Sequence, residues 1–279
     1  MKNIASPPAA IALTIAGSDP SGGAGIQTDL RTFAALGIHG LSAVSCTTAQ
    51  VPGRVIDINP VSPEHLTAQI DLLLDTYQVA AIKTGMLFKL PLLKTVLTCL
   101  ERNHCRAPLI IDPVMSASSG EALLEENAID FFRDSFLSRA SLFTPNINEA
   151  SILLDGIDVT AANLDQCAVD LFSRYTVPVL LKGGHLDTVD ALDVLVTGNG
   201  LEHFSAPFVK GVAPHGTGCA YSAAITACVA NGHSLEQSVS RAKQYITAAI
   251  ANCQHWADGH QTLNHQVNSG LPPDCDTQS

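Results

Sequence analysis

The segment Gly216-Thr217-Gly218-Cys219 is followed directly by an alanine-rich stretch, residues 220–231, that has the composition of a helix. Glycines let backbone N–H groups converge at a helix N-terminus, whose partial positive charge suits phosphate oxygens. A thiol in the same position tends to have a lowered pKa. The segment therefore predicts a phosphoryl-binding site at which Cys219 takes a proton from an attacking hydroxyl group.

Two other interpretations of this segment stay open. A Gly-x-Gly sequence before a helix is often only a tight turn. Alternatively, Cys219 is a covalent nucleophile and His215, four residues earlier in the chain, is its base. That spacing does not by itself bring an imidazole and a sulfur together across a glycine turn. Other motifs in the chain are needed to choose among these three interpretations of the segment.

The composition predicts one compact domain. The chain has 279 residues, of which 46% are hydrophobic and 15% charged, within the size range that a single α/β enzyme domain reaches. We expect a single domain over residues 1–256, followed by a polar tail over residues 257–279 that is frayed. Three histidines at five-residue spacing in and before the tail, His255, His260 and His265, would lie on different faces of a helix, which argues against a metal site.

The charge and the cysteines exclude several classes of protein. The net charge is −11 and the basic residues form no run, which argues against a nucleic-acid surface and requires any anionic substrate to be held locally. The eight cysteines contain no Cys-x-x-Cys pair, which indicates reduced thiols and a cytoplasmic protein. No apolar run approaches eighteen residues, so a membrane-spanning helix is not expected.

Short runs of Ile, Val and Leu alternate with longer stretches of helical period, which predicts repeated β-α units around a mostly parallel sheet with helices on both faces. The predicted strands are 11–16, 41–46, 79–83, 109–111, 142–144, 179–182, 191–196 and 203–206, the last two as an antiparallel hairpin. The predicted helices are 24–36, 63–76, 90–102, 121–134, 147–154, 163–175, 220–231 and 235–256.

In a sheet of this kind, chemistry collects in the loops that follow the strands. After the first predicted strand comes the glycine-rich segment 17–29, which ends at Asp29. It is neither a P-loop nor a dinucleotide-binding turn, but its glycines allow a flat ligand to approach the backbone closely. The alternative is a plain connection with a solvated Asp29.

Six motifs in this order together resemble the hydroxymethylpyrimidine/phosphomethylpyrimidine kinases of thiamine biosynthesis, which are members of the ribokinase-like superfamily. They are Gly17-Ser18-Asp19-Pro20-Ser21-Gly22-Gly23-Ala24-Gly25-Ile26-Gln27, Lys83-Thr84-Gly85-Met86-Leu87, Asp112-Pro113-Val114-Met115, Thr144-Pro145-Asn146, Leu181-Lys182-Gly183-Gly184-His185 and His215-Gly216-Thr217-Gly218-Cys219. The resemblance covers roughly residues 10–255. Relatives in the superfamily usually have Asp as the base, whereas Cys at position 219 is typical of the pyrimidine kinases.

The resemblance implies an ATP- and magnesium-dependent kinase, expected as a homodimer, that phosphorylates the pyrimidine alcohol and then its monophosphate. It implies catalysis by Cys219 together with Gly216, Thr217 and Gly218. It implies an aminopyrimidine pocket lined by Gly17, Ala24, Asp29, Gln50 and Met86. The amide of Gln50 offers both the donor and the acceptor that an aminopyrimidine edge requires. Asp29 and Cys219 would approach the hydroxymethyl group.

The resemblance also implies a nucleotide site formed by Asn146, Glu149, Lys182, Gly184 and His185, with Glu149 and Asp112 on the magnesium side. From the residues alone, Asn146 is equally an N-cap with Glu149 three positions later, and Lys182 an exposed strand end.

The chain departs from its relatives at Val51-Pro52, at Ser118 and at Lys210–Pro214, and these departures bear on how the monophosphate is accepted. Two other functions stay open. One is a pyridoxal kinase with the same fold, and the other is a pyrimidine-binding regulator that has lost phosphoryl transfer.

Overall fold

A mostly parallel sheet forms the centre of the protein. The structure, a computed structural model, describes residues 9–116, 120–184, 186, 189–209, 211–212, 214–257 and 259–267. In these ranges the strands of the main sheet are β1 (Ile11–Ser18), β2 (His39–Val51), β3 (Arg54–Pro60), β4 (Ala81–Thr84), β5 (Leu109–Ile111), β6 (Leu142–Phe143), β7 (Val179–Lys182), β8 (Asp190–Thr197) and β9 (Gly200–Pro207). Their spatial order is β3-β2-β1-β4-β5-β6-β7-β8-β9.

The pairing is parallel from β2 through β1 and β4 to β7, and antiparallel for β2 with β3, β7 with β8, and β8 with β9. The helices are α1 (Gly25–Ala35), α2 (Pro63–Thr76), α3 (Leu90–Arg102), α4 (Glu126–Phe131), α5 (Ile147–Leu153), α6 (Leu164–Tyr175), α7 (Thr217–Ala230) and α8 (Leu235–Ala251). The prediction of a mostly parallel sheet with helices on both faces is confirmed, as is the antiparallel hairpin of β8 and β9.

Alternation along the strands divides the core between the two faces of the sheet. Ile111 and Leu181 belong to the apolar cluster that also includes residues of α2, α3 and α6. Their neighbours Ile110 and Leu180 belong to a second cluster with residues of α7 and α8. Helix α7 contacts α1, α8 and several strands, which explains why small alanines occupy most of its faces. The sheet and α8 together fix where the N-terminus of α7 points.

Several predicted elements have different bounds in the structure. The helix predicted at 235–256 ends at Ala251, and residues 254–255 belong to a short strand instead. β2 continues to Val51 and pairs with β3, which the sequence pattern did not predict. The helix predicted at 121–134 begins only at Glu126, because the N–H groups of Leu123 and Leu124 donate to Met115 O. It continues into a π-helical turn, Phe132–Phe136. Helix α7 begins at Thr217, so most of the glycine segment lies inside the helix rather than ahead of it.

The chain after α8 folds back onto the domain. A short ribbon joins β10 (Gln254–His255) to β11 (Gln261–Thr262), and Leu263 and His265 beyond it are buried. The hydroxyl of Tyr245 lies 3.0 Å from His265 Nδ1. The prediction of a frayed tail from residue 257 is therefore wrong for 259–267, because this short segment buries an apolar and an aromatic side chain. Residues 268–279 lie outside the described ranges.

We expect His265 to make stability depend on pH. Burial and the nearby Arg31 lower the pKa of His265 to about 4. The unfolded chain takes up this proton near pH 6.5, whereas the folded protein does so only near pH 4, so the free energy of unfolding falls as the pH falls between these values. The expected loss is about 3 kcal/mol. Urea unfolding from pH 7 to 4 should show this slope, and His265→Gln should weaken it, whereas His39→Asn at an exposed position should not.

None of the helices in the described ranges combines the length and the apolar character that crossing a bilayer requires.

Candidate active site

A cavity of about 1220 Å³ opens at the carboxyl ends of the parallel strands. β1 pairs with β2 on one side and with β4 on the other. The strands that follow β1 in the chain are therefore added first on one side of it and then on the other. Ligands of open α/β sheets bind at such a point. The loops after β1, β4, β5 and β7 line the cavity, and the N-terminus of α7 closes it from one side.

The N-terminus of α7 presents free backbone donors to this cavity. The first intrahelical hydrogen bond runs from Ala220 N to Gly216 O (2.9 Å), so the N–H groups of Thr217, Gly218 and Cys219 precede it and can bind an anion. Gly216 has φ +81°, and a Cβ atom there would collide with the carbonyl oxygen of Gly23. The Thr217 hydroxyl donates to Pro214 O (2.9 Å) and shapes the turn. The predicted anion site is therefore supported by local geometry.

The environment of Cys219 differs from the prediction in one respect. Burial raises the pKa of the thiol to about 12, while Lys83 and the N–H of Gly25 act in the opposite direction. The predicted lowering of this pKa is wrong because removal from water, reinforced by Asp112 and Asp29, outweighs the favourable groups. Cys219 is therefore protonated at neutral pH in the protein without ligands.

The acceptor side of the cavity includes Gly17, Ala24, Gln50 and Met86, as the resemblance implied. Met86 packs with Cys46 and Leu123 in a small apolar cluster. A Cβ atom on Gly17 would lie 2.9 Å from Cys46 Sγ, so only glycine leaves this wall open. Gln50 belongs to the β2–β3 hairpin, which extends over the cavity. An apolar wall with one amide suits a flat heteroaromatic ring.

Asp29 is not among the residues that line the cavity, so its prediction as a pocket residue is corrected. It is fully buried behind the wall, where Oδ2 accepts from Thr14 Oγ1 (2.6 Å) and from Lys83 Nζ (3.0 Å). Lys83 does contribute to the cavity wall. Burial lowers the pKa of Lys83, but Asp29 outweighs this effect, aided by Cys219 and Asp112, and the net direction is upward. Asp29 therefore acts on the cavity through the ammonium of Lys83.

A second buried ion pair, formed by Lys182 and Asp112, lies between α5 and α7. Lys182 Nζ contacts Asp112 Oδ1 at 3.1 Å and would be 3.4 Å from a Cβ atom on Gly218. Lys182 is buried, so its interpretation as an exposed strand end is wrong. Burial raises the pKa of Glu149, Lys182 opposes that rise and Asp112 adds to it.

Asn146 and Glu149 form the N-terminal capping box of α5. Asn146 Oδ1 accepts from Glu149 N (2.9 Å), and Glu149 Oε2 accepts from Asn146 N (2.9 Å). Both residues also line the cavity, so the capping and the ligand-binding interpretations are compatible. Gly184 lines the same region, whereas His185 lies outside the described residues. Ser118 and Lys210, where the chain departs from its relatives, also lie outside them.

The far end of the cavity contains residues that sequence reasoning missed. Phe208, Ile246 and Ile250 give it an apolar lining. Lys243 Nζ pairs with Asp193 Oδ2 at 2.6 Å beneath it. The sequence pattern placed Ile246, Ile250 and Lys243 in a predicted helix and Asp193 in a predicted strand, but it carried no signal that these residues meet. An apolar slot of this kind can accommodate a nucleobase.

Asp19 and His215 were also missed as a pair. His215 Nε2 lies 3.2 Å from Asp19 Oδ2, and both side chains line the cavity. The hydrogen bonds of the described residues do not include one between His215 and Cys219, which argues against the covalent-nucleophile interpretation. Asp19 and His215 are 196 residues apart. Their two motifs were each recognised, but only the fold brings them together.

Each lysine of the described residues that lines the cavity has a buried aspartate as its partner. The pairs are Lys83–Asp29, Lys182–Asp112 and Lys243–Asp193. The described residues contain no group of three or more His, Cys, Asp or Glu side chains arranged to hold a metal ion by themselves.

Comparison with known proteins agrees with this architecture. The sequence model described as phosphomethylpyrimidine kinase matches residues 19–264. The hydroxymethylpyrimidine/phosphomethylpyrimidine kinase of Salmonella typhimurium is 40% identical over 241 residues, which cover 86% of this chain and 90% of the relative. The protein of the same name from Escherichia coli is 37% identical over 250 residues, covering 89% of this chain and 94% of the relative.

Two solved structures extend the comparison. The ADP complex of Bacillus subtilis pyridoxal kinase has a TM-score of 0.84 at 30% identity and covers 92% of this chain and 98% of its own. The phosphomethylpyrimidine kinase of Clostridium difficile has a TM-score of 0.75 at 33% identity and covers 86% of this chain and 99% of its own.

The sheet order and the cavity at the N-terminus of α7 define a kinase of the ribokinase-like superfamily. Kinases of this kind use ATP as the phosphoryl donor. Within the superfamily, the chain belongs to the phosphomethylpyrimidine kinase family.

Proposed function

We propose that this kinase transfers the γ-phosphoryl group of ATP, with Mg²⁺, to the hydroxymethyl oxygen of 4-amino-5-hydroxymethyl-2-methylpyrimidine. It then phosphorylates the resulting monophosphate to the diphosphate in thiamine biosynthesis. The observation that carries the proposal is that one cavity holds the Gln50 and Met86 wall, the N–H groups of α7 and the Cys219 thiol. Relatives named for both phosphorylation steps support it.

Each part of the cavity has a role in this reaction. The amide of Gln50 pairs with the ring nitrogen and the exocyclic amine, which leaves the hydroxymethyl group free to point toward Cys219. The N–H groups of Thr217–Cys219 and the ammonium of Lys182 stabilise the charge on the phosphoryl oxygens during in-line transfer. The thiolate form of Cys219, whose fraction grows with pH, accepts the hydroxyl proton as the new bond forms.

The residues present fit a magnesium ion on the phosphate side. Asp112 Oδ1 is held by Lys182, and its carboxylate lines the cavity. Glu149 is held by the N–H groups of Asn146 and Met115, so it suits contact through ordered water. Asp112 and Glu149 would hold the ion. When bound, Mg²⁺ neutralises the charge of the nucleotide phosphates.

Initial-rate kinetics with ATP and Mg²⁺ on hydroxymethylpyrimidine, its monophosphate and pyridoxal tests the proposal. We expect turnover of both pyrimidines, with the ratio of the two rates reporting how well the divergent loops accept the monophosphate. Absence of turnover on either pyrimidine would contradict the proposal. Tight pyrimidine binding without any ATP turnover would instead indicate a regulator.

Pyridoxal phosphorylation is a second candidate because the pyridoxal kinase of Bacillus subtilis has a higher TM-score than the phosphomethylpyrimidine kinase of Clostridium difficile. Pyridoxal also carries a hydroxymethyl group on a flat ring. A kcat/KM for pyridoxal above that for the pyrimidine would favour this function.

Gln50 should decide between these acceptors. Gln50→Leu removes the donor and the acceptor that read the aminopyrimidine edge, and we expect kcat/KM for hydroxymethylpyrimidine to fall about 100-fold, since a site built to hydrogen-bond its substrate discriminates strongly. The KM for ATP should change little. Asp57→Ala is the matched control, because Asp57 is exposed on the same hairpin and is not among the cavity residues. Equal losses in both variants would contradict the role of Gln50.

A homodimer and a cytoplasmic location are part of the proposal. The exposed Val51 and Ile56 on the β2–β3 hairpin support self-association. Sedimentation of the purified protein tests the homodimer.

A further inference from the structure

Two loops from opposite ends of the chain meet through one pair of side chains. Asp19, in the loop after β1, is 2% exposed and accepts from Ser21 N (2.8 Å) and Ala24 N (2.8 Å). Its Oδ2 atom also lies 3.2 Å from Nε2 of His215, the residue before the N-cap of α7. The first loop begins two residues after Gly17 and carries Ala24 of the acceptor pocket, and the second begins the phosphoryl site.

The backbones of the two loops are in contact around this pair. A Cβ atom on Gly23 would lie 2.9 Å from His215 Cδ2, and one on Gly216 would collide with Gly23 O. The N–H of Gly25 also interacts with the Cys219 thiol. There is no space between the loops, so a shift of one displaces the other.

The protonation of the pair follows from its chemistry. Burial raises the pKa of Asp19, but hydrogen bonds from His215 and Ser21 and the nearby amide of Gln50 hold it below its usual range. An ionised carboxylate can only accept hydrogen bonds, so His215 Nε2 carries a proton. The pair contributes a directional hydrogen bond between the loops.

We propose that Asp19 and His215 are positioning residues that hold the acceptor loop and the N-terminus of α7 in register, so that the phosphoryl group passes to the bound alcohol and not to water. In-line transfer requires the attacking oxygen close to phosphorus and aligned with it, and an error of about 1 Å costs on the order of 100-fold. The identity of the acceptor rests on the proposed function, but the alignment of the two loops does not.

Loss of the pair should uncouple ATP hydrolysis from transfer. In His215→Ala the anion site keeps its own N–H groups and Lys182, so ATP still binds, with a KM within about threefold of wild type. Acceptor phosphorylation should fall about 100-fold. Water, which needs no alignment by the acceptor loop, should react as before or faster, so the ADP formed in excess of phosphorylated acceptor, divided by phosphorylated acceptor, should rise at least tenfold by the same estimate.

The test compares His215→Ala, His215→Gln and Asp19→Asn, with ADP and phosphorylated acceptor measured separately. Gln can donate an N–H to Asp19 and should restore much of the coupling. His203→Ala is the matched control, because His203 Nε2 pairs with Asp165 at 2.8 Å on the exposed surface. Its coupling should equal that of wild type. A constant ratio of excess ADP to phosphorylated acceptor in His215→Ala would overturn the proposal.

A second measurement does not depend on the acceptor. Hydrogen exchange of peptides covering residues 19–29 and 214–222 should accelerate in both segments when either partner is changed. Unchanged exchange would also overturn the proposal. If wild type phosphorylates pyridoxal and neither pyrimidine, the proposed function fails while the coupling ratio is still measured with pyridoxal. If no acceptor is phosphorylated, hydrogen exchange alone decides.

Discussion

Replacement of Cys219 by alanine is expected to lower kcat by about 10²–10⁴, equivalent to about 3–5 kcal/mol in the barrier, because general base catalysis contributes that much. The thiol lies in the first turn of α7, where it interacts with Lys83 and the N–H of Gly25. The loss should appear in kcat with either acceptor, and the KM for ATP should stay near that of wild type.

The pH profile separates a base from a side chain that only fills space. Burial raises the pKa of the Cys219 thiol to about 12, so the thiolate fraction grows about tenfold with each pH unit below that value. We expect kcat of wild type to rise between pH 6.5 and 9, and Cys219→Ala to lose that slope.

Cys228→Ala is the matched control, since Cys228 is buried on the same helix and is not among the cavity residues. If the turnover of Cys219→Ala stays within tenfold of wild type, the thiol is not the group that accepts the proton.

The second large effect is expected from Lys83→Met. This change leaves the Asp29 carboxylate fully buried with Thr14 as its remaining hydrogen-bond partner, since Asp29 Oδ1 has none among the described residues. Removal of one partner of a buried ion pair costs about 3–5 kcal/mol, so the free energy of unfolding should fall by that amount. Urea unfolding measures it.

A double variant shows whether the cost comes from the unpaired charge. Lys83→Met with Asp29→Leu replaces the pair by apolar groups and should recover most of the lost stability. Arg102→Ala, which breaks a partly exposed pair with Asp71, should have a much smaller effect. A double variant as unstable as Lys83→Met would indicate that packing around Lys83, rather than charge, sets the cost. The double variant should still have low activity, because the Lys83 ammonium opposes the raised pKa of Cys219.

The strands and helices of the central layer could be predicted because their periodicity is strong. Helices α2 and α3 have the predicted bounds, 63–76 and 90–102. The edge strand β3 was missed because its sequence, Arg54–Pro60, mixes polar and apolar residues and is only partly buried. Its pairing partner β2 lies on the other side of a tight turn at Pro52-Gly53, a dipeptide that marks turns, but the polar residues on both sides of that turn do not form a strand pattern.

The site was predictable only as separate motifs. Gly17, Lys182 and Cys219 were named because each belongs to one of the six motifs, and Gln50 was named because the resemblance implied it; all four line the cavity. Asp29 was misplaced because spacing along a helix does not show that Lys83, which is 54 residues later in the chain, draws its carboxylate behind the cavity wall. Asp19 is not predicted as a site residue because its partner, His215, is 196 residues later in the chain. These contacts are properties of the folded chain.

The one-to-one pairing of the cavity lysines with aspartates affects how the nucleotide arrives. A chain of net charge −11 whose cavity lysines are already neutralised has little electrostatic attraction to offer a polyanion at long range. Repulsion at a distance is screened beyond about 8 Å at physiological ionic strength. These three lysines therefore do not steer nucleotide encounter, and they leave the recognition of a phosphate to contacts at short range, such as the backbone dipoles of α7.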